Sequence, residues 1–138
     1  MPDPSIDASR PLLVEVGAGE LVDKITILRI KAERMRDPAR LANVRHELAT
    51  LEAAQAAHLA PCAALDELAE ALMDINGQLW AIEDDIRLYD KRGDFGPGFV
   101  ALARAVYETN DRRAAVKKRI NLLVGARIVE EKSYAGAA

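Results

Sequence analysis

The chain has 138 residues, half of them hydrophobic and 30% charged, with a formal net charge of −3. Those figures describe one globular domain able to bury its own core, and they exclude a disordered chain or a basic nucleic-acid binder. One cysteine, Cys62, excludes an internal disulfide and fits a reducing cytoplasm, and the longest uncharged run, 53–65, is too short to span a bilayer.

Aromatics make up only 4% and alanine occurs 25 times, so the composition favours helices. Residues 1–11 carry three of the six prolines and read as a loose lead-in, with 12–138 as a single helical domain. No basic start followed by an apolar stretch is present, so no secretory signal is expected. Leu12–Val16 is apolar and β-prone, a short strand or an extended arm.

The first helix follows Gly17-Ala18-Gly19 and is expected over about 19–36. Glu20 and Asp23 are placed in its first turn and Arg34 and Arg36 in its last, each at the favourable end of the helix dipole. Asp37-Pro38 is an N-cap followed by a proline at the first helical position, and opens a second helix over about 38–59. Pro61 ends that helix and introduces a third over about 62–91, closed by Gly93. A Gly-rich turn then leads into a fourth helix, about 97–124, which stops before Gly125.

Apolar positions on the third helix step by three and four without a break: Leu65, Leu68, Leu72, Ile75, Leu79, Ile82, Ile86, Tyr89. The fourth repeats those steps with Phe99, Leu102, Val106, Thr109, Arg113, Val116, Ile120 and Leu123. The two stripes mirror each other about residue 94, inside the Gly-rich turn. In the first pair, Leu21, Ile25, Leu28, Ala32 and Met35 mirror Gln55, Leu51, Leu48, Val44 and Leu41 about Pro38. Heptad stripes mirror by chance about once in seven phases. Two matches centred on independently chosen turns predict an all-α fold: two antiparallel helical hairpins in an elongated, coiled-coil-like bundle.

Thr109 and Arg113 interrupt the apolar seam, and an arginine there needs a carboxylate, at the rim or within. Beside the seam runs a mixed flank: Asn76, Trp80, Glu83 and Arg87 on the third helix, Tyr107, Asn110, Lys117 and Asn121 on the fourth. In an antiparallel pair both rows lie on one side. The flank is either the face on which the first hairpin docks, with Glu83–Arg87 as an i,i+4 pair, or the lining of a pocket for a small anionic or polar ligand. With Arg113 these eight residues are the candidate ligand-binding set. The basic run Arg112, Arg113, Lys117, Lys118 and Arg119 is expected to pair across the hairpin with Asp66, Glu67, Glu70 and Asp74.

No catalytic constellation, cofactor motif or metal site emerges. His46 and His58 stand twelve apart on one helix without partners at ligand spacing, and Gly17-Ala18-Gly19 lacks the Lys-Ser/Thr of a phosphate loop.

The segments GELVDKITILRIKAER (19–34), LWAIEDDIR (79–87), VYETNDRRAAVKKRIN (106–121) and EEKSY (130–134) resemble an uncharacterised bacterial family, a domain of unknown function. The resemblance implies a bacterial, single-domain, cytoplasmic protein, gives a loose link to surface-carbohydrate metabolism, and carries no established activity or site residue with it. The leading expectation is thus a non-catalytic helical interaction module that docks or self-associates through its hairpin, partnered by a second copy or another protein. No nucleic acid, membrane or cofactor is expected. The alternative is a binding protein or enzyme acting on an anionic or polar metabolite in a groove beside Trp80. Outward-facing Leu88 and Leu122 favour self-association.

Overall fold

Four helices follow one another: α1 (Ala18–Arg34), α2 (Pro38–His58), α3 (Ala63–Arg92) and α4 (Pro97–Val124). The computed structural model describes residues 3–7 and 9–135, and these contain no strand. Among the described residues no helix is long and apolar enough to cross a membrane.

The helix boundaries follow local chemistry. Asp37 caps α2, its carboxylate accepting from the Arg40 N–H at 3.2 Å, with Pro38 in the first turn. Gly93 and Gly125 close α3 and α4 in the left-handed conformation, both at φ 67°, which glycine adopts without steric cost. Gly77, inside α3, faces open space: a methyl group added there would meet nothing within 4 Å. Gly77→Ala is therefore expected to stabilise the protein by about 0.5–1 kcal/mol, read as a rise in thermal midpoint.

Antiparallel α3 and α4 form the long hairpin. Arg112 donates to Gln78 at 2.5 Å, and Gly98 lies against the Tyr89 ring. Both contacts centre within one residue of the fold point read from the sequence. The apolar core gathers at the open end of this hairpin, where Val22, Leu65, Leu72 and Ile120 are buried together with Leu59, Leu68 and Val116 packed around them. Each fully buried side chain of this kind contributes about 1.5–3 kcal/mol of transfer free energy.

The first pair of helices does not dock as a unit. α1 packs against α2, α3 and α4, whereas α2 packs against α1 alone. Along α1, the contacts move down α4 from Asn121 to Arg113, and Arg34 at the far end lies over Trp80 of α3. α1 thus runs with α3 and against α4. Being surrounded, it buries Val22, Asp23, Ile25, Thr26, Leu28 and Ile30, while α2 buries only Val44. Ion pairs Lys24–Glu47 (3.0 Å) and Arg29–Glu52 (3.3 Å) link α1 and α2. At about 1.5 Å per residue, α1 is roughly 25 Å long against about 45 Å for α3, so the hairpin tip extends past it.

Residues 11–17 and 128–134 form neither helix nor strand. Leu12–Val16 forms an exposed arm without strand pairing, with Leu12 93% exposed. Glu15 of this arm takes a two-pronged contact from Arg127, both distances 2.8 Å. The C-terminal arm lies along α4 through Glu130–Lys117 (3.1 Å), Glu131–Lys118 (3.1 Å) and Lys132–Asp111 (3.7 Å).

Candidate functional site

The site is built where α1 enters the hairpin. Its N-cap, Gly17, offers no side chain to the free N–H groups of the first turn. Asn121 of α4 substitutes for it, its buried Oδ1 accepting from the Gly19 N–H at 2.8 Å. Glycine is required for this approach: a Cβ on Gly19 would collide with the Lys117 carbonyl group, its carbon only 2.9 Å away. The Gly-Ala-Gly segment therefore brings one helix onto the backbone of another, and Asn121 occupies the donor that an anion would use.

One turn further, Asp23 is 1% exposed and forms the centre of a polar cluster. Its carboxylate accepts from Arg113 Nε and Asn76 Nδ2, each at 2.9 Å, and its second oxygen pairs with Arg113 Nη2. Thr26 Oγ1 donates to the Asp23 carbonyl at 2.7 Å and accepts from Asn76 Nδ2 at 2.9 Å. Among the described residues, no buried side-chain nitrogen or oxygen lacks a partner. Hydrogen bonding to Asp23 outweighs burial and holds the Arg113 guanidinium above its usual range. The sequence places Asp23 in the first turn as a dipole partner, and the structure corrects this: it faces inward, and the carboxylate that Arg113 needs comes from α1 and not from the rim of the hairpin.

Lys117 Nζ lies 2.6 Å from Glu20, 3.1 Å from Glu130 and 4.0 Å from Asp23. Burial disfavours its charge, but the hydrogen bonds to Glu20 and Glu130 outweigh burial and raise it above the ordinary 10.5. A raised folded-state value means that this contribution is complete below about pH 10.5 and fades as pH climbs through the raised value. In Lys117→Met the alkaline decline of stability is expected to be shallower than in the native protein, as read by urea denaturation at stepped pH.

α1 covers part of the mixed flank and leaves the remainder as an open groove of about 500 Å³. Ile27, Ile30 and Lys31 of α1 form one wall. Asn76, Leu79, Trp80, Glu83, Asp84 and Arg87 of α3, with Asn110 and Arg113 of α4, form the rest. The volume suits a small metabolite. Arg34 lies 5.8 Å from the Trp80 ring centre, and Arg87 is held by the Glu83 carboxylate and, at 3.0 Å, the Glu83 carbonyl.

Of the nine residues singled out from the sequence, the structure brings six together here: Asn76, Trp80, Glu83, Arg87, Asn110 and Arg113. Lys117 and Asn121 line a separate cavity of about 170 Å³ beneath the terminal arms. Tyr107 is 53% exposed and lines neither. The sequence missed Asp23, Thr26 and Lys31. The signal available was on α1 itself, where Val22, Thr26 and Ile30 repeat every four residues beside the seam and mark a second buried face.

The basic run also pairs differently from expectation. Arg112 meets Gln78, Arg113 meets Asp23, Lys117 meets Glu20 and Glu130, and Lys118 meets Glu131. α1 and the C-terminal arm supply the carboxylates in place of Asp66, Glu67, Glu70 and Asp74. Among the described residues, no group of three or more His, Cys, Asp or Glu could hold a metal. Cys62 is exposed at the start of α3.

None of the curated proteins and none of the solved structures matches the chain. Residues 12–138 match the family of unknown function DUF6165, and the chain belongs to that family.

Proposed function

We propose that the protein is a helical binding module that holds a small polar or anionic ligand in the groove beside Trp80. The observation behind this reading is the groove itself: three helices converge on a 500 Å³ space whose walls combine Ile27, Ile30, Leu79 and Trp80 with Lys31, Arg113, Asn76 and Asn110. Apolar walls with a few convergent polar groups are the usual make-up of a small-molecule site. A ligand that binds only the folded state stabilises it by about 2.7 kcal/mol when present at about a hundred times its dissociation constant. A thermal-shift screen of small acids and polyols is therefore expected to yield compounds that raise the melting point by several degrees. A screen in which every compound leaves the midpoint unmoved would remove this reading.

A second reading, self-association, rests on surface area. A compact monomer of 15.1 kDa exposes about 7,100 Å². This chain exposes 9981 Å², including Leu12, Leu13 and Val14 of the arm, Leu88, Phe95 and Val100 near the hairpin tip, and Leu122 and Leu123 at the end of α4. The excess is larger than the total area of a standard protein interface. Sedimentation velocity over a wide concentration range is expected to show a species of twice the chain mass, and a strict monomer throughout would exclude this second reading.

A further inference from the structure

The hydrogen-bond pattern around Asp23 fixes the orientation of a side chain that lines the groove. Asn76 is only 5% exposed. Asp23 Oδ1 is an acceptor and requires an N–H. The Thr26 hydroxyl has committed its proton to the Asp23 carbonyl, so it too accepts from Asn76. Both protons of Asn76 Nδ2 are thereby used, and the carboxamide cannot flip without losing both bonds. Its Oδ1 lies on the other side of the carboxamide and is reached by no donor among the described residues, so it keeps contact with solvent, and Asn76 is part of the groove lining. The groove therefore presents an acceptor that asks for a donor from the ligand. Asp84 is a second acceptor at the exposed rim and makes no ion pair among the described residues.

The cations divide in a complementary way. Arg87 is balanced by Glu83 and Arg113 by Asp23. Lys31 is half-buried, lines the groove, and makes no ion pair among the described residues. It also borders an adjoining hollow of about 380 Å³ on the α2 side, whose walls share Ile27, Lys31 and Arg113 with the groove. The one unbalanced ammonium of the lining thus stands at the junction of the two spaces, beside a guanidinium whose Nη1 donates to no group among the described residues.

Building on the ligand-site reading above, we propose that the groove selects a small acid whose carbon chain carries hydroxyl groups. Lys31 and the outer edge of Arg113 take the anionic end, Asn76 Oδ1 and Asp84 accept from the hydroxyls, and the chain lies against Ile30, Leu79 and Trp80. The hydroxyl requirement is the selective part. A solvated acceptor that is covered by an analogue lacking the matching donor loses its water without replacement and costs binding, whereas an anion alone gains only the exposed electrostatic term.

Trp80 is the single tryptophan and lies in the groove wall, so its emission reports on occupancy. The test titrates the protein with glycerol 3-phosphate and with n-propyl phosphate, which share size and anion and differ in the hydroxyls. Asn76 is left native, since its replacement disturbs the Asp23 cluster. Glycerol 3-phosphate is expected to bind about tenfold or more tighter than n-propyl phosphate, and Lys31→Ala to weaken both probes by about tenfold while leaving the melting point of the free protein close to native. Equal binding of the two probes would overturn the hydroxyl requirement and leave the groove as a ligand site. Binding of both probes unchanged in Lys31→Ala would overturn the assignment of the anionic end. Silence of Trp80 toward both probes would overturn the inference, and the thermal-shift screen would then decide whether any ligand reading survives.

Discussion

Arg113→Leu is expected to lower the stability of the protein by about 3–5 kcal/mol, the range for removing one partner of a buried ion pair. The cost arises at Asp23. With its side chain 1% exposed, that carboxylate loses both guanidinium contacts and keeps Asn76, with Lys117 Nζ at 4.0 Å as the nearest remaining cation. The reverse change is milder. Asp23→Asn leaves behind Arg113, whose side chain is 28% exposed and can turn toward water, so a loss nearer 1–3 kcal/mol is expected. Urea denaturation of the two variants checks both the size and the order. A larger loss for Asp23→Asn than for Arg113→Leu would contradict the placement of Asp23 as the more deeply buried partner.

Gly19→Val is expected to cost about 3 kcal/mol, at the upper end of overpacking effects, because the colliding atoms are backbone. Three atoms of Lys117 in the α4 main chain crowd the position, the Cα at 3.1 Å being the farthest of them. A side chain tip can swing aside, but a helical carbonyl cannot move without breaking its own ladder. The start of α1 must therefore lift away, which also breaks the bond from the Gly19 N–H to Asn121. Thermal melts compared with those of Gly77→Ala isolate the cause. The same chemical class of change, a side chain added to a helical glycine, is expected to stabilise at 77 and destabilise at 19. Near-native stability of Gly19→Val would show that α1 does not meet α4 this closely.

The four helices and the turns between them were legible because their information is local and periodic. An unbroken three-four stripe specifies a helix face, and the mirror points at Pro38 and near Asp94 coincide with residues that end helices for steric reasons. The structure agrees to within two residues at each helix boundary. The mixed flank was legible for the same reason: Asn76, Trp80, Glu83 and Arg87 share one face of one helix whatever packs against it. The partner of that flank was harder to read. Asp23 near a helix start has a sufficient local explanation in the helix dipole, and its true partner, Arg113, lies 90 residues away. The mirror rule treats each hairpin as a closed pair. It therefore sends the basic run of α4 toward the acids of α3 and does not anticipate α1 and the C-terminal arm meeting it first. Tyr107 shows the remaining limit: stripe membership gives a face but does not say which of its residues a third element covers, and Tyr107 stays 53% exposed.

These points converge on one arrangement, with α1 anchored by Asp23 and Gly19 across the long hairpin and an open groove over Trp80 beside it. The most direct test is a nitrogen-15 NMR titration of the labelled protein with hydroxylated acids, following the single indole N–H and the side-chain amides. The account predicts that the Trp80 indole signal moves together with those of Asn76 and Asn110, while signals from the hairpin tip stay in place. Shifts centred on the tip or the terminal arms, with the indole signal unmoved, would contradict it.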